Sequence, residues 1–373
     1  MRVLLSIHHR LDPDLGAPGI TLALGNAYRE LGHEAHFLSF DDLPGRLPGL
    51  AKEALYPWFA APRLRRAAVD GVDVIDASTG DAWLWALARR GHERSPLLVT
   101  RSHGLEHRYW AQAVEESVRR GARMPLRSRL YHGGVRLREV TRSLRSADYV
   151  IFGNDEDRDF AVERLGLAVE RARVFPNGLP KAFLGLPLDP AASLERIACV
   201  GSWAERKGKS YLAAALSATL ERDLSLRATL LGTQVGADTV LADFPASVRD
   251  RVVAVPHYGH DELPTLIRGH QVAISASLAE GFSLALPEVM ACGLAPVVTN
   301  IPSARAVVRH EDNGLLVPTR DVPAITHAIE RLGNDPELLR RLRAGAHSTA
   351  QTLSWRRVAE RTLALYEHGL ATR

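Results

Sequence analysis

Apolar residues in this chain come in two spacings. Short β-type runs alternate with longer stretches in which apolar positions recur every three or four residues, and the alternation predicts strands and helices in turn. In the first half the strand-like runs are Arg2–Ile7, His36–Phe40, Val72–Asp76, Pro96–Thr100 and Ala147–Phe152. Helical spacing marks Ile20 to Leu31, Trp83 to Ala88, an arginine-rich region from about Glu115 to Ser146, and Glu156 to Leu165 behind the capping pair Asn154-Asp155. In the second half strands are expected at 196–201, 226–231, 252–255, 272–276, 296–299 and 315–318. Helices are expected at 210–219, 322–332 and 336–366, with the last one starting at Trp355. Strand, glycine-bearing loop, helix, strand is how a doubly wound α/β domain opens. The loop Asp12–Gly19 carries Gly16 and Gly19 but not the spacing of a dinucleotide fingerprint.

Pro180 to Ala192 is rich in proline and small residues and reads as a linker. The expected organisation is therefore residues 1–182, residues 183–354 and a final helix, 355–373. A chain of 373 residues suits two such domains, and 46% apolar with 24% charged residues is a globular composition. No apolar run is long enough to cross a membrane, and the opening MRVLLSIHHRLD reads as a strand rather than a cleavable leader, so the chain is expected in the cytoplasm. Cys199 and Cys292 show no metal-ligand spacing. Asp12 and Asp14 follow a strand and precede a glycine loop, where a turn fits better than a metal site.

The net charge is +4, and the bias is local: nine arginines between Arg119 and Arg145 meet one acid, Glu139. Such a stretch is either a contact for an anionic membrane surface or a solvated helix face. Few aromatic residues interleave it, which argues against nucleic acid.

The segment from Ser277 to Val298 is the hardest to explain by folding alone. Glu280 and Glu288 stand eight positions apart, with the uncharged run Gly281-Phe282-Ser283-Leu284 between them and Pro287 expected to open a helix. Backbone amides in such a loop hold an anion without a charged side chain, while carboxylates accept hydrogen bonds from sugar hydroxyls. The layout suits a ligand that is anionic in the middle and hydroxylated at both ends, as a nucleotide-sugar is. The basic loop Arg206-Lys207-Gly208-Lys209, between a strand and a helix, can neutralise a diphosphate without a metal ion.

These residues carry a resemblance. EGFSLALPEVMACG, VGSWAERKG, the RSHGLEH segment at 101–107 and the Pro176-Asn177-Gly178 turn resemble the group 1 retaining glycosyltransferases of the GT-B fold. The resemblance implies two Rossmann-like domains facing across a cleft, an acceptor-binding first domain, a nucleotide-sugar-binding second domain, and a last helix that crosses back to the first. It implies transfer of a sugar from a nucleotide-diphosphate sugar to an acceptor hydroxyl, with no metal and no further cofactor. Glu280 would then face the donor sugar, Glu288 the ribose, and the 281–284 amides the diphosphate. His103 would approach the sugar, and Arg206 with Lys207 would stabilise the leaving group. Gly16, Gly19, Asn177, Ser202, Gly232 and Thr233 would lie along the donor, with His260 and Asp261 near the base. Ser202 stands where many members have arginine, which leaves the charge to Arg206 or Lys207. The acceptor is not specified. Two alternatives remain: other sugar-nucleotide chemistry on the same fold (an epimerase or a phosphorylase), and a non-catalytic scaffold for anionic surfaces. A phosphorylase needs a lysine-held cofactor, and only Lys52, Lys181, Lys207 and Lys209 exist to hold it.

Overall fold

The structure is a computed structural model that describes residues 1–43, 49–89, 95–119, 121–189 and 193–373. Arg120 and the linker end at 190–192 lie outside the described residues. The chain divides into two compact units, Met1–Gly178 with Trp355–Arg373, and Leu179–Ser354.

The first unit is built on a parallel sheet of β1 (Arg2–Ser6), β2 (Glu34–Leu38), β3 (Val74–Ser78), β4 (Leu97–Arg101), β5 (Tyr149–Phe152) and β6 (Ala172–Val174), in the order β2-β1-β3-β4-β5-β6. Every residue of β3 and β4 is buried, as strands covered by helices on both faces must be. Leu4 pairs with Ile75, and Ile75 with Leu98, across the middle of the sheet. The second strand begins at Glu34 and ends before Phe40. Ser39 stops it by accepting a hydrogen bond from the Asp41 amide at 3.1 Å, while Asp42 accepts from the Ser39 amide at 2.8 Å.

Two departures from the sequence expectation have clear physical causes. The first helix starts at Gly16, not Ile20, so Gly16 and Gly19 sit in its opening turn rather than on a loop. Gly19 is required there because a Cβ would lie 2.7 Å from the Pro13 carbonyl oxygen. A second long helix, Gly49–Val69, contains Pro57 and Pro62 and gave no helical expectation. Its register is set by Tyr56, Ala60 and Leu64, fully buried four residues apart.

The last helix, Trp355–Ala371, packs into this unit through Tyr366. The Tyr366 hydroxyl donates to Asp76 Oδ2, which also accepts Nε and Nη2 of Arg101 at 3.2 and 2.7 Å. With its proton committed to Asp76, Tyr366 accepts from Tyr28 at 3.0 Å. All four groups are buried and each has a partner, which is what a buried charge pair needs.

The second unit repeats the plan with β7 (Arg196–Val200), β8 (Arg227–Leu231), β9 (Val252–Val255), β10 (Val272–Ser275), β11 (Ala295–Thr299) and β12 (Leu315–Val317), ordered β12-β11-β10-β7-β8-β9. Side chains alternate between two cores, one on each face. Ile197, Cys199, Ile274 and Val297 pack with Leu216 of the helix Lys209–Arg222 and Ile329 of the helix Val322–Asn334. Ala198, Ala273 and Val298 pack instead with Met290 and Ala346.

In each sheet the first strand has neighbours that leave in opposite directions. β1 lies between β2 and β3, and β7 between β8 and β10. The carboxyl ends of the strands at such a reversal splay their loops apart and leave a crevice suited to a ligand.

Candidate functional site

In the second unit the loops after β7 and β10 meet at this reversal. Lys207 Nζ donates to Glu280 Oε2 at 2.8 Å. Their backbones are joined as well: Leu278 N donates to the Arg206 carbonyl at 2.9 Å, and Arg206 Nη1 to the Ala279 carbonyl at 3.0 Å. The approach depends on Gly208, whose φ is +72° and whose missing Cβ would lie 2.0 Å from the Ala276 carbonyl oxygen. Burial works against the charge on Glu280. The Lys207 ammonium, hydrogen bonds from Lys207 and Ser277, and Arg206 outweigh it and hold the carboxyl below its ordinary range. A small cavity of about 30 Å³ lies beneath, lined in part by Gly201, Ser202, Lys207, Ser275 and Ser277. This is room for about one water molecule.

The run between the two glutamates is a bend that enters the helix Ala285–Ala291 two residues earlier than Pro287. Pro287 therefore falls in the first turn, where its missing N–H breaks no helical bond. Gly281 is buried, and Phe282, Ser283 and Leu284 are half-buried, with Phe282 packed on the core. Glu288 is buried and accepts from His260 Nε2 at 2.7 Å. Two residues expected near different parts of a ligand thus touch each other. Asp261, next to His260, is exposed. Gly232 has φ +70°, and Thr233 is occupied by its own turn: its hydroxyl donates to the Val235 carbonyl at 2.9 Å and its carbonyl accepts the Trp203 amide at 2.8 Å. Lys209 points elsewhere, to Asp243 at 3.0 Å, where Trp203 Nε1 also donates at 2.7 Å.

The first unit has a polar cluster at its own reversal, most of it missed by the sequence reading. His8 follows β1 and Asp81 follows β3, and His8 Nδ1 lies 2.6 Å from Asp81 Oδ1. Arg136 Nη2, which can only donate, lies 3.0 Å from His8 Nε2. Nε2 therefore accepts, the His8 proton sits on Nδ1, and Nδ1 donates to Asp81. Ser6 Oγ donates to the other Asp81 oxygen at 3.1 Å. Arg136 Nη2 also donates to the Thr79 carbonyl at 2.9 Å and to Glu106 Oε1 at 3.2 Å. Burial, then the Arg136 charge, lowers His8 to about 3, and burial raises Asp81.

His103 lies just past β4 and is half-buried. Burial, with Arg101, His8 and His9 adding repulsion, lowers it to about 3, so it is neutral at pH 7. His107 is one turn further on, in the helix Glu106–Arg119, with Nε2 at 3.0 Å from the Thr141 hydroxyl. Asn177 is buried at the end of the unit. Asp12 forms a turn by accepting the Asp14 amide at 2.9 Å. Among the described residues no group of three or more His, Cys, Asp or Glu side chains is placed to hold a metal ion.

The arginine-rich stretch is not one uniform face. Arg136 is buried in the cluster just described, Arg145 donates to the Leu165 carbonyl, and Arg142 stacks on Trp83. Arg123, Arg127, Arg129 and Arg138 are exposed. So are Leu126 and Leu130, the two ends of a short helix.

Comparison with known proteins agrees with this architecture. Residues 195–335 match the family model described as glycosyl transferases group 1, and residues 16–182 the one described as glycosyltransferase family 4. D-inositol 3-phosphate glycosyltransferase of Saccharomonospora viridis is 30% identical over 216 residues, which cover 55% of this chain and 49% of the relative. MMP alpha-(1->4)-mannosyltransferase of Mycolicibacterium hassiacum is 30% identical over 283 residues, covering 74% of this chain and 66% of the relative. The chain thus spans about half to two-thirds of the length of these relatives. Sucrose-phosphate synthase of Thermosynechococcus elongatus superposes over the whole of both chains with a TM-score of 0.80 at 20% identity. The Anabaena protein HepE in complex with UDP-glucose does so with a TM-score of 0.71 at 18% identity. The two sheets are those of the GT-B fold. The chain belongs to the group 1 glycosyltransferases.

Proposed function

We propose that the protein is a retaining glycosyltransferase that moves a sugar from a nucleotide-diphosphate sugar to an acceptor hydroxyl without a metal ion. The observation that carries this reading is the Lys207–Glu280 pair at the reversal of the second sheet. Breaking the bond between the sugar and the diphosphate builds negative charge on the phosphate, and a fixed cation there lowers the barrier. Lys207 has two N–H groups beyond the one held by Glu280, and Arg206 adds a second charge. Glu280 is ionised and accepts hydroxyls of the sugar; Glu288, held by His260, does the same for the ribose. Retention follows from attack on the face the diphosphate leaves, the departing phosphate oxygen taking the acceptor's proton. The structural neighbours crystallised with UDP and UDP-glucose support a sugar-nucleotide donor.

The test is incubation with a panel of nucleotide-sugars in the presence of EDTA, following release of the nucleoside diphosphate. Slow hydrolysis of one donor is expected. Release from none, or only when a divalent cation is supplied, removes the metal-free transferase.

The exposed tip of the first unit supports adsorption to an anionic membrane surface. Leu126 and Leu130 project one helical turn apart, with exposed Arg123, Arg127 and Arg129 around them. No described helix is long and apolar enough to cross a membrane.

A further inference from the structure

The helix Leu137–Ser146 edges an open groove in the first unit that neither the donor chemistry nor the exposed tip uses. We propose that this groove is a binding site for a phosphate monoester. The inference goes beyond the transferase reading and does not depend on it.

The groove has a volume of about 370 Å³ and is lined in part by Gly133, Gly134, Arg138, Thr141, Arg142 and Arg145. Two contacts fix its walls. At Gly133 a Cβ would lie 2.5 Å from the Trp110 ring, so the missing side chain lets the π-helical turn Tyr131–Arg136 close on the helix Glu106–Arg119. The Thr141 hydroxyl donates to the Leu137 carbonyl at 2.8 Å, so it accepts from His107 Nε2 at 3.0 Å. The two helices are therefore fastened beside the groove before any ligand arrives.

Its position separates it from the crevice at the strand ends. The helix Leu137–Ser146 leads into the amino end of β5 at Tyr149, so Arg145 stands toward the end of the sheet opposite the crevice. The groove follows the outer side of that helix away from the reversal.

Its charge is one-sided. Arg138, Arg142 and Arg145 recur at four- and three-residue spacing, which lines them up on one helix face over about 10 Å. All three are exposed, and among the described residues none forms an ion pair with a carboxylate. Glu139, the one acid of the stretch, is buried and is not part of the lining. Two of the guanidiniums are oriented without being neutralised. Arg145 donates through Nε to the Leu165 carbonyl at 2.6 Å, and Arg142 lies over the Trp83 ring at 5.3 Å. Both contacts leave Nη groups to a ligand. A phosphate monoester brings nearly two charges and three acceptor oxygens near pH 7, which a row of forked donors matches. A phosphate diester brings less charge and fewer open oxygens, and should be held less well.

The experiment is calorimetric titration of the full chain with glycerol 3-phosphate and glucose 6-phosphate, with glycerol and glucose as uncharged counterparts. At least one ester should bind saturably, and at least about tenfold more weakly to Arg138→Gln/Arg142→Gln. Both substituted positions are exposed, and circular dichroism checks the fold. The same titration of Lys207→Met separates the groove from the diphosphate site of the second unit, and the ester should still bind. Vesicles distinguish a lipid-borne monoester from a soluble one: phosphatidic acid is compared with phosphatidylglycerol on Leu126→Ser/Leu130→Ser protein, which lacks the apolar tip. A preference for phosphatidic acid that the arginine substitutions remove assigns the groove to a lipid headgroup; binding of the soluble esters alone assigns it to a free metabolite. No soluble ester bound and no preference for phosphatidic acid overturns the proposal. So does binding that survives Arg138→Gln/Arg142→Gln or disappears in Lys207→Met.

Discussion

Lys207 Nζ and Glu280 Oε2 lie 2.8 Å apart, and they come from the two loops that part company at the reversal of the second sheet. Neither charge is fully hydrated: the lysine side chain is 21% exposed and the glutamate 7%. Each needs the other to be stable there, and together they leave a cation facing the crevice with a carboxylate beside it.

Removing either partner should therefore do more than delete one contact. Glu280→Ala is expected to lower turnover at least about tenfold, the value of one transition-state contact of about 1.4 kcal/mol. Lys207→Met strands the buried carboxylate and should lower it further. The two losses should not add in the double variant, because both variants break one pair. Single-turnover rates across the four-variant cycle test this; full additivity would argue that the residues act apart.

Tyr366→Phe should destabilise the chain by about 1–3 kcal/mol, since Asp76 loses a buried donor and Tyr28 its acceptor. Chemical denaturation reads the loss. Turnover per folded molecule should be unchanged, because the network ties the last helix to its own sheet and touches none of the proposed donor residues.

Acid should destabilise the fold through its histidines. His8 and His103 have an ordinary value of 6.5 and sit at about 3 in the fold, and His9 sits at about 4; Asp81, raised from 3.8 to about 8, takes up a proton over the same range and offsets one of the three. Between those values the unfolded chain binds a proton at each histidine that the folded chain does not. The stability their neutrality provides is whole above pH 6.5 and is lost as pH falls, at about 1.4 kcal/mol per pH unit for each histidine. Denaturation midpoints from pH 7 to 4 check this, and His103→Gln, which leaves the His8–Asp81 pair in place, should flatten the slope.

Sedimentation with phosphatidylglycerol vesicles tests the exposed tip. Binding is expected, falling in high salt and in Leu126→Ser/Leu130→Ser, with neutral phosphatidylcholine vesicles left unbound. Equal binding to both vesicle types would contradict it.

Much of the fold was legible because strands buried on both faces leave unbroken apolar runs, as at residues 97–99 and 272–274. The helix Gly49–Val69 was not, since Pro57 and Pro62 speak against a helix locally and only packing of Tyr56, Ala60 and Leu64 overrides them. Glu280 and Lys207 stood out because EGFSLALPEVMACG and VGSWAERKG resemble the segments of a known family, and the structure brings the two side chains to 2.8 Å. Arg136 did not. It sits in a run of arginines that reads as surface, and nothing local shows that a π-helical turn, Tyr131–Arg136, carries it inward. His8 had a usable signal, the same end-of-strand position that singled out His103.

The most direct test of the central claim is calorimetric titration of nucleoside diphosphates into the protein and into Lys207→Met, both in EDTA. The account predicts that at least one diphosphate binds the unmodified protein without metal and binds the variant at least about tenfold more weakly. Binding that appears only with a divalent cation, or that the substitution leaves untouched, would contradict it.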